Sequence, residues 1–143
     1  MAPRRQVDRR VQRTRQVLQQ AFRDVVLEKG FAATSIQDIT ERANVNRGTF
    51  YLHFADKYML VDAFVREDFQ RLLANTLPAE SRWDRATLRL LVRALLDHFE
   101  KKYQHQQHIP QAVAPLVERA IHEELTELLL TWLKQSEGED MQW

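Results

Sequence analysis

The side chains best suited to chemistry lie close together between residues 47 and 57, in the stretch RGTFYLHFADK. Arg47 carries a planar guanidinium that can bind a guanine edge through two hydrogen bonds or clamp a phosphate. Tyr51 can offer its hydroxyl to a phosphate, and Thr49 has a hydroxyl and a methyl group for a phosphate or a thymine. Side chains of these types at this spacing favour recognition of nucleic acid over covalent catalysis.

Catalytic arrangements find little support elsewhere in the chain. It has no cysteine, which excludes disulfides and thiol catalysis, and it has no glycine-rich phosphate loop or nucleophile elbow. Glu123 and Glu124 are adjacent and diverge on a helix, so they do not form a catalytic dyad. His98, His105 and His108 have spacings used by metal ligands, but no cysteine or carboxylate completes a set. We expect no metal, no cofactor and no enzyme; a histidine-dependent metalloenzyme is the alternative.

The residues around this cluster predict a helix-turn-helix. Thr34-x-x-Gln37 has the pattern of a capping box, which predicts a helix that begins near Ser35. Asn44 tolerates a left-handed conformation and can end that helix, and Asn46 is a good N-cap for the next one. Two short helices joined by three or four residues form a helix-turn-helix, in which the second helix enters the DNA major groove.

The motif also resembles the DNA-binding domain of the TetR family of transcriptional regulators. The family has a small-Thr-x-Tyr-x-aromatic-Phe run followed by a polar residue and Lys, which is matched by GTFYLHF at 48–54 and by Asp56-Lys57. Its upstream Thr-x-x-x-Ile helix is matched by TSIQDIT at 34–40, and EKGF at 28–31 is a typical helix ending for the family. The resemblance covers roughly residues 9 to 65. One departure is Asn44, where the family usually has Gly, but Asn also accepts a positive φ.

The resemblance implies which residues contact DNA. It places Gln37, Arg47, Thr49 and Tyr51 where family members touch DNA, and His53 and Lys57 at phosphates. Gly48 would allow the DNA backbone to approach closely, or would instead fit a crowded contact between helices.

Four of these residues have structural alternatives that remain open. Gln37 can pair with adenine or complete the capping box. Thr49 can serve its own helix as the third residue. Tyr51 can be a half-buried aromatic, and Lys57 can be an ordinary solvated lysine.

Composition predicts an all-α fold, because Gly (3) and Pro (4) are scarce among the 143 residues and helix formers dominate. Residues 1–57 carry 11 Lys and Arg against 6 Asp and Glu, whereas residues 58–143 carry 10 against 14. The first segment is therefore net +5 and the second net −4, which indicates a nucleic-acid module joined to a different domain. We expect a three-helix DNA-binding domain at 1–57 and a helical ligand and dimerisation domain at 58–143.

Apolar periodicity predicts the remaining helices over about 9–29, 56–77, 84–103 and 115–135, with residues 1–8 as an unstructured basic arm and a frayed tail at 136–143. Family members usually have two more helices, which form the dimer interface, so the second domain resembles a shortened one. The wide apolar stripe over 116–133 would be exposed in a monomer, which indicates a missing or partner helix.

Function follows as an expectation from the motif and the resemblance together. We expect a cytoplasmic repressor that binds a palindromic double-stranded DNA operator as a homodimer, responds to an unknown small-molecule effector and has no membrane segment. The aromatic side chains that could line an effector pocket are Phe64, Phe69, Trp83 and Phe99, for which plain core packing is the alternative. The alternative function is a truncated interaction protein that pairs with a partner regulator without acting as a repressor itself.

Overall fold

The computed structural model describes residues 2–104 and 111–140, and all regular structure in these ranges is helical. This confirms the predicted all-α class. The described residues form six helices, in chain order α1 (Ala2–Lys29), α2 (Ile36–Ala43), α3 (Arg47–His53), α4 (Lys57–Thr76), α5 (Arg85–Gln104) and α6 (Ala114–Asp140). The chain divides into two compact units, Met1–Val61 and Asp62–Trp143, whereas the sequence placed the boundary between residues 57 and 58.

The first unit is built on the apolar stripe of α1. Leu18, Ala21, Phe22 and Val25 are spaced at three or four residues, so they share one face of the helix, and all four are buried. Gly30 follows α1 with a positive φ of 80°, a conformation that glycine adopts without steric cost. The chain therefore turns sharply after α1. The other buried apolar residues of this core are Phe31, Ile39, Phe50, Phe54, Leu60 and Val61.

Two ion pairs join the end of α1 to α2. Arg42 donates two hydrogen bonds from one nitrogen to the Glu28 carboxylate, at 2.7 and 2.5 Å. Lys29 lies 3.1 Å from a carboxylate oxygen of Asp38. Both pairs are solvent-accessible, so each contributes less than about 1 kcal/mol, and their main effect is to fix the orientation of α2 on α1.

Both ends of the chain differ from the sequence prediction. The backbone of α1 is helical from Ala2, so the expected unstructured arm is wrong; the arm contains Arg4, Arg5 and Gln6, which are good helix formers. The helix α6 continues to Asp140, five residues beyond the predicted end at Gln135. Because Gly138 lies inside this extension, helix propensity predicts a helix only weakly there.

The second unit has its own core and a polar network around Arg66. Phe69, Leu91, Ala94, Val113, Val117, Ala120 and Trp132 are buried. Arg66 in α4 pairs with Asp62 at 2.9 Å, and it also pairs with Glu123 and Glu124 of α6. These carboxylates raise the pKa of the Arg66 guanidinium. Glu123 and Glu124, which the sequence analysis rejected as a catalytic dyad, therefore bind α4 to α6.

Across the described ranges, no helix is long and apolar enough to cross a membrane.

Candidate nucleic-acid interface

The turn between α2 and α3 has the local structure that the sequence predicted. Asn44 adopts a left-handed conformation, with φ 55° and ψ 46°, and its backbone N–H donates to carbonyls of the last turn of α2. Asn46 has an extended backbone, and its side chain accepts from the backbone N–H of Thr49 at 2.7 Å. Because one asparagine ends α2 and the other begins α3, the two helices are joined by three residues.

The N-terminus of α2 is capped one residue later than the sequence predicted. The capping box consists of Ser35 and Asp38: the Ser35 hydroxyl accepts from the Asp38 N–H at 3.1 Å, and the Asp38 carboxylate accepts from the Ser35 N–H at 3.0 Å. Thr34 is buried and donates its hydroxyl to the Gly30 carbonyl at 2.7 Å instead. The Ser35 amide, followed by Lys29, holds the pKa of the Asp38 carboxyl below its usual range.

This shift releases Gln37 from the capping role considered for it. Gln37 is exposed, and its amide donates to the Glu41 carboxylate at 2.9 Å. An exposed bond of this kind along one helix face contributes only a few tenths of a kcal/mol, about 0.2–0.5. The Gln37 side chain can therefore exchange this partner for another at little cost.

The helix α3 is short enough to be described as four rows of side chains at spacing i, i+4. Phe50 and Phe54 form the buried row, with 0% and 4% of each residue exposed. The three other rows are the pairs Arg47 and Tyr51, Gly48 and Leu52, and Thr49 and His53. With about 100° of rotation per residue, the Gly48 and Leu52 row lies opposite the buried row, between the two others.

Arg47 and Tyr51 form an exposed polar edge. Tyr51 is 48% exposed, and the edge of its ring contacts Phe50 at a centroid distance of 5.6 Å. Arg47 is exposed and, within the described part of the chain, forms no hydrogen bond or ion pair. The Tyr51 hydroxyl also has no partner among those residues. Both side chains therefore present hydrogen-bond donors to a ligand without first breaking an internal contact.

Gly48 is not required by a crowded contact inside the chain. A Cβ at this position would meet only the Oδ1 atom of Asn46, at 3.4 Å, which is close to ordinary van der Waals contact. Its φ does not require glycine either, since α3 is a regular helix. Of the two explanations for Gly48, the structure does not support a crowded helix contact.

Leu52, in the same row, is a residue that the sequence analysis did not select. It is 83% exposed, although it is a large apolar residue in a helix that buries both phenylalanines. The available signal was its position, because a helical wheel of residues 47–54 places Leu52 opposite Phe50 and Phe54.

Thr49 and His53 form the third row, and both are half-buried. The Thr49 hydroxyl donates to Asn46 Oδ1 at 2.9 Å, so its proton serves the N-cap of its own helix. Partial burial, and secondarily the positive charge of Arg15, lower the pKa of His53 below its ordinary value. The imidazole is therefore neutral near pH 7.

Arg15 brings a further positive charge from α1 to the end of α3. Its guanidinium lies 4.7 Å from the centroid of the Phe54 ring, a distance typical of a cation–π contact. The sequence analysis did not select Arg15, since its proximity to α3 depends on how α1 packs.

Lys57 has a structural environment that the sequence did not predict. Its ammonium donates to the carbonyls of Phe31 at 2.9 Å and Thr34 at 3.0 Å, and a third carbonyl, that of Ala32, lies at 3.5 Å. The ammonium also lies 4.4 Å from the centroid of the Phe31 ring. The alternative of an ordinary solvated lysine is therefore wrong: Lys57 closes the turn between α1 and α2. A phosphate contact would have to compete with these bonds.

The four aromatic residues predicted to line an effector pocket differ in their burial. Phe69 is buried at 3% exposure and Phe64 is half-buried, whereas Trp83 and Phe99 are 43% and 40% exposed. Among the residues that the structure describes, no group of three or more His, Asp or Glu side chains could hold a metal ion. His98 Nε2 lies 3.7 Å from an Asp68 carboxylate oxygen, and His105 and His108 lie outside the described residues.

Comparisons with a family profile and with known proteins indicate the same kind of protein. Residues 20–64 match the profile described as bacterial regulatory proteins, tetR family. The HTH-type transcriptional regulator YxbF of Bacillus subtilis (strain 168) is 41% identical over 78 residues, which cover 54% of this chain and 20% of the relative. The HTH-type transcriptional repressor Rv3405c of Mycobacterium tuberculosis (strain ATCC 25618 / H37Rv) is 42% identical over 105 residues, which cover 69% of this chain and 54% of the relative.

A solved structure described as Salmonella enterica GusR is 20% identical, with a TM-score of 0.49, and the match covers 88% of this chain and 70% of that one. The chain spans about half the length of the mycobacterial relative and a fifth of the Bacillus relative.

The profile match spans the helix-turn-helix described above, and both relatives carry the description of an HTH-type regulator. Over residues 20–64 the chain therefore carries the helix-turn-helix domain of the tetR family of bacterial regulatory proteins. This confirms the family that the motif at 34–57 resembles. The family consists of regulators rather than enzymes, in agreement with the sequence prediction.

Proposed function

We propose that this chain is a DNA-binding transcriptional repressor that inserts the outward face of α3 into the major groove of an operator. The observation that carries the proposal is the separation of faces on this helix. Phe50 and Phe54 are fully or almost fully buried, whereas Arg47, Tyr51 and the backbone at Gly48 face solvent. A recognition helix needs such an arrangement, because one face must pack on the scaffold while the other reaches base edges.

Arg47 and Tyr51 would make the most direct contacts. Arg47 can bind a guanine bidentately or clamp a phosphate, and Tyr51 can donate its hydroxyl to a phosphate. Gln37 of α2 can give up its exposed bond to Glu41 and bind an adenine edge or a phosphate. Gly48 allows the helix backbone to approach the duplex closely.

The other predicted contact residues would act more indirectly. Thr49 keeps the first turn of α3 capped through Asn46, so its methyl group is the part left for a base. His53 can donate one N–H to a phosphate as a neutral imidazole. Lys57 fixes the turn at residues 31–34, and only its longest bond, at 3.5 Å, could be exchanged for a phosphate oxygen.

The electrostatic asymmetry of the chain supports the same proposal. The net charge of +5 over residues 1–57 attracts a polyanion, while the net charge of −4 over the remainder does not. Binding that depends on phosphate neutralisation weakens as salt rises, because counterions are released from DNA on binding. A strong salt dependence is therefore part of the proposal.

The proposal includes a homodimer on a palindromic operator, because a helix-turn-helix dimer binds two half-sites about 34 Å apart. The second unit exposes apolar side chains that could pack against a second copy of the chain. On α5 these are Leu90, Val92, Leu96 and Phe99, with 41%, 52%, 65% and 40% exposure. A different regulator could use the same surface, which would make this chain an interaction protein.

The proposed location of the chain is the cytoplasm, where bacterial DNA lies. The remaining part of the proposed function is a small-molecule effector that releases the chain from DNA. Such an effector must bind the DNA-free state more tightly than the DNA-bound state. A screen of small molecules against the chain bound to a labelled duplex would detect it as a fall in fluorescence anisotropy.

The test of DNA binding begins with selection of duplexes from a random library by the full chain. We expect an enriched sequence that binds the wild type in a salt-dependent way and binds Arg47→Ala at least tenfold more weakly. Arg89→Ala in the second unit is the matched control, since Arg89 is also an exposed helical arginine. Enrichment of no sequence, or equal binding by Arg47→Ala and the wild type, would contradict the proposal.

A further inference from the structure

Leu52 is the most exposed of the large apolar side chains that the structure describes, at 83%. A single exposed leucine on a protein surface is common and needs no explanation. The position of Leu52 within α3 is what distinguishes it. It lies in the helix whose outward face is proposed to meet DNA, about 180° around the axis from the midpoint between Phe50 and Phe54.

The residues around Leu52 make it the apolar centre of a polar face. The row of Arg47 and Tyr51 lies on one side, and the row of Thr49 and His53 lies on the other. Gly48 precedes Leu52 by one turn on the same face and has no side chain to cover it. A ligand surface that meets α3 face-on therefore contacts Leu52 first and can approach closely beside it.

The chemistry of the major groove limits what Leu52 could recognise there. Guanine, cytosine and adenine present hydrogen-bond donors and acceptors in this groove, which a leucine cannot satisfy. Thymine also presents a methyl group at C5, and contact between this group and an apolar side chain is a known form of base recognition. Of the groups exposed in the groove, the thymine methyl is therefore the one that favours a leucine.

We propose that Leu52 reads the methyl group of a thymine and thereby helps to set the sequence preference of the chain. This inference rests on the proposed function and adds a determinant of specificity to it. It assigns Leu52 to direct base recognition, whereas the polar rows on either side supply hydrogen bonds to bases and phosphates.

The test uses the duplex selected by the wild-type chain and a set of duplexes in which each thymine in turn is replaced by deoxyuridine, which lacks the methyl group. Dissociation constants are measured for the wild type, Leu52→Ala and Leu52→Met. Leu27→Ala is the matched control, because Leu27 is a 72% exposed leucine of the same unit on α1. Thermal unfolding checks that each variant is folded. We expect midpoints close to that of the wild type, because these exposed side chains contribute little to the core.

We expect one thymine position in each half-site at which loss of the methyl weakens wild-type binding about fourfold, the effect of burying one methylene-sized group. Leu52→Ala loses the contact in both half-sites, so it binds the thymine duplex about as weakly as the wild type binds a duplex with deoxyuridine at both positions, and its own binding does not change on the exchange. Leu52→Met, which keeps an apolar side chain, and Leu27→Ala both retain the sensitivity.

Two results would overturn the inference while leaving the proposed function intact. One is full sensitivity to every deoxyuridine exchange in Leu52→Ala, and the other is no sensitivity at any position in the wild type. If no duplex is enriched by the wild type, the proposed function fails and the inference fails with it.

Discussion

At the scale of single residues, the side chains proposed to contact DNA differ in whether they already have hydrogen-bond partners within the chain. Arg47 and the Tyr51 hydroxyl have no partner within the described part of the chain, and Gln37 has only an exposed bond to Glu41. Lys57 and the Thr49 hydroxyl are already bonded inside the first unit. Because replacing an internal bond offsets much of the gain from a new one, the free groups should dominate affinity.

Tyr51→Phe should lower affinity for the selected duplex about tenfold, since a hydrogen bond to a charged phosphate is lost while the ring is kept. The free energy of unfolding should not change, because the hydroxyl has no partner among the described residues. Fluorescence anisotropy and urea unfolding measure the two quantities. Tyr58→Phe, at a 45% exposed tyrosine packed on Phe31, is the control and should bind as the wild type does. Equal binding by Tyr51→Phe and Tyr58→Phe would show that the Tyr51 hydroxyl does not contact DNA.

Lys57→Met should lower the free energy of unfolding by about 2 kcal/mol, since it removes the donors that satisfy the carbonyls of Phe31 and Thr34. Lys29→Met removes a solvent-accessible ion pair with Asp38 and should cost less than about 1 kcal/mol. Urea unfolding of both variants makes the comparison. A stable Lys57→Met variant with greatly weakened DNA binding would mean that Lys57 acts on phosphate after all.

His53 should make the first unit less stable in mild acid. Its pKa is lowered in the folded chain, so the unfolded chain takes up its proton first as the pH falls below about 6.5. The stabilisation by neutral His53 is therefore present above that pH and is lost as the pH falls through the folded pKa. Unfolding measured from pH 7.5 to 5 should show a steeper decline for the wild type than for His53→Gln. Parallel profiles would mean that His53 is not perturbed.

At the scale of helices and turns, the sequence predicted most of what is local. Gly30, Asn44 and Asn46 mark the ends of helices because their backbone or side-chain chemistry acts within a few residues. The sequence pattern predicts the capping box one residue too early because Thr34 and Ser35 can both cap a helix. Tertiary packing decides between them, since the Thr34 hydroxyl is taken by the Gly30 carbonyl.

Contacts between distant parts of the chain could not be predicted in this way. Lys57 lies 26 residues from Phe31, and only the packing of α4 against the turn after α1 brings the ammonium to that carbonyl. Arg15 reaches Phe54 for the same reason. The exposed position of Leu52, by contrast, follows from the helical period alone.

The N-cap of α3 can be used to test whether the stability of this helix and its binding to DNA depend on the cap. Asn46→Ala removes the acceptor for both the backbone N–H and the hydroxyl of Thr49, so the free energy of unfolding should fall by about 1 kcal/mol. DNA affinity should fall as well, because the first turn of α3 carries Arg47. Asn75→Ala, at an exposed asparagine of α4, is the control for both measurements. An unchanged stability would mean that α3 does not depend on this cap.

At the scale of the whole molecule, each of the two compact units has its own core. The first combines the motif, the basic charge and the match to the TetR profile. The second is acidic, is held by the Arg66 network and exposes apolar side chains on α5 and α6, such as Leu96 and Leu130. Binding DNA is therefore a proposal about the first unit, whereas pairing with a second copy is a proposal about the second.

The most direct test of the account is sedimentation of the purified chain, alone and with the selected duplex, at two salt concentrations. The account predicts a complex of two chains per duplex at low salt that dissociates as salt rises, and no such complex for the Arg47→Ala, Tyr51→Phe double variant. A chain that does not sediment with the duplex at either salt concentration, or a double variant that forms the same complex as the wild type, would contradict the claim that the outward face of α3 binds DNA.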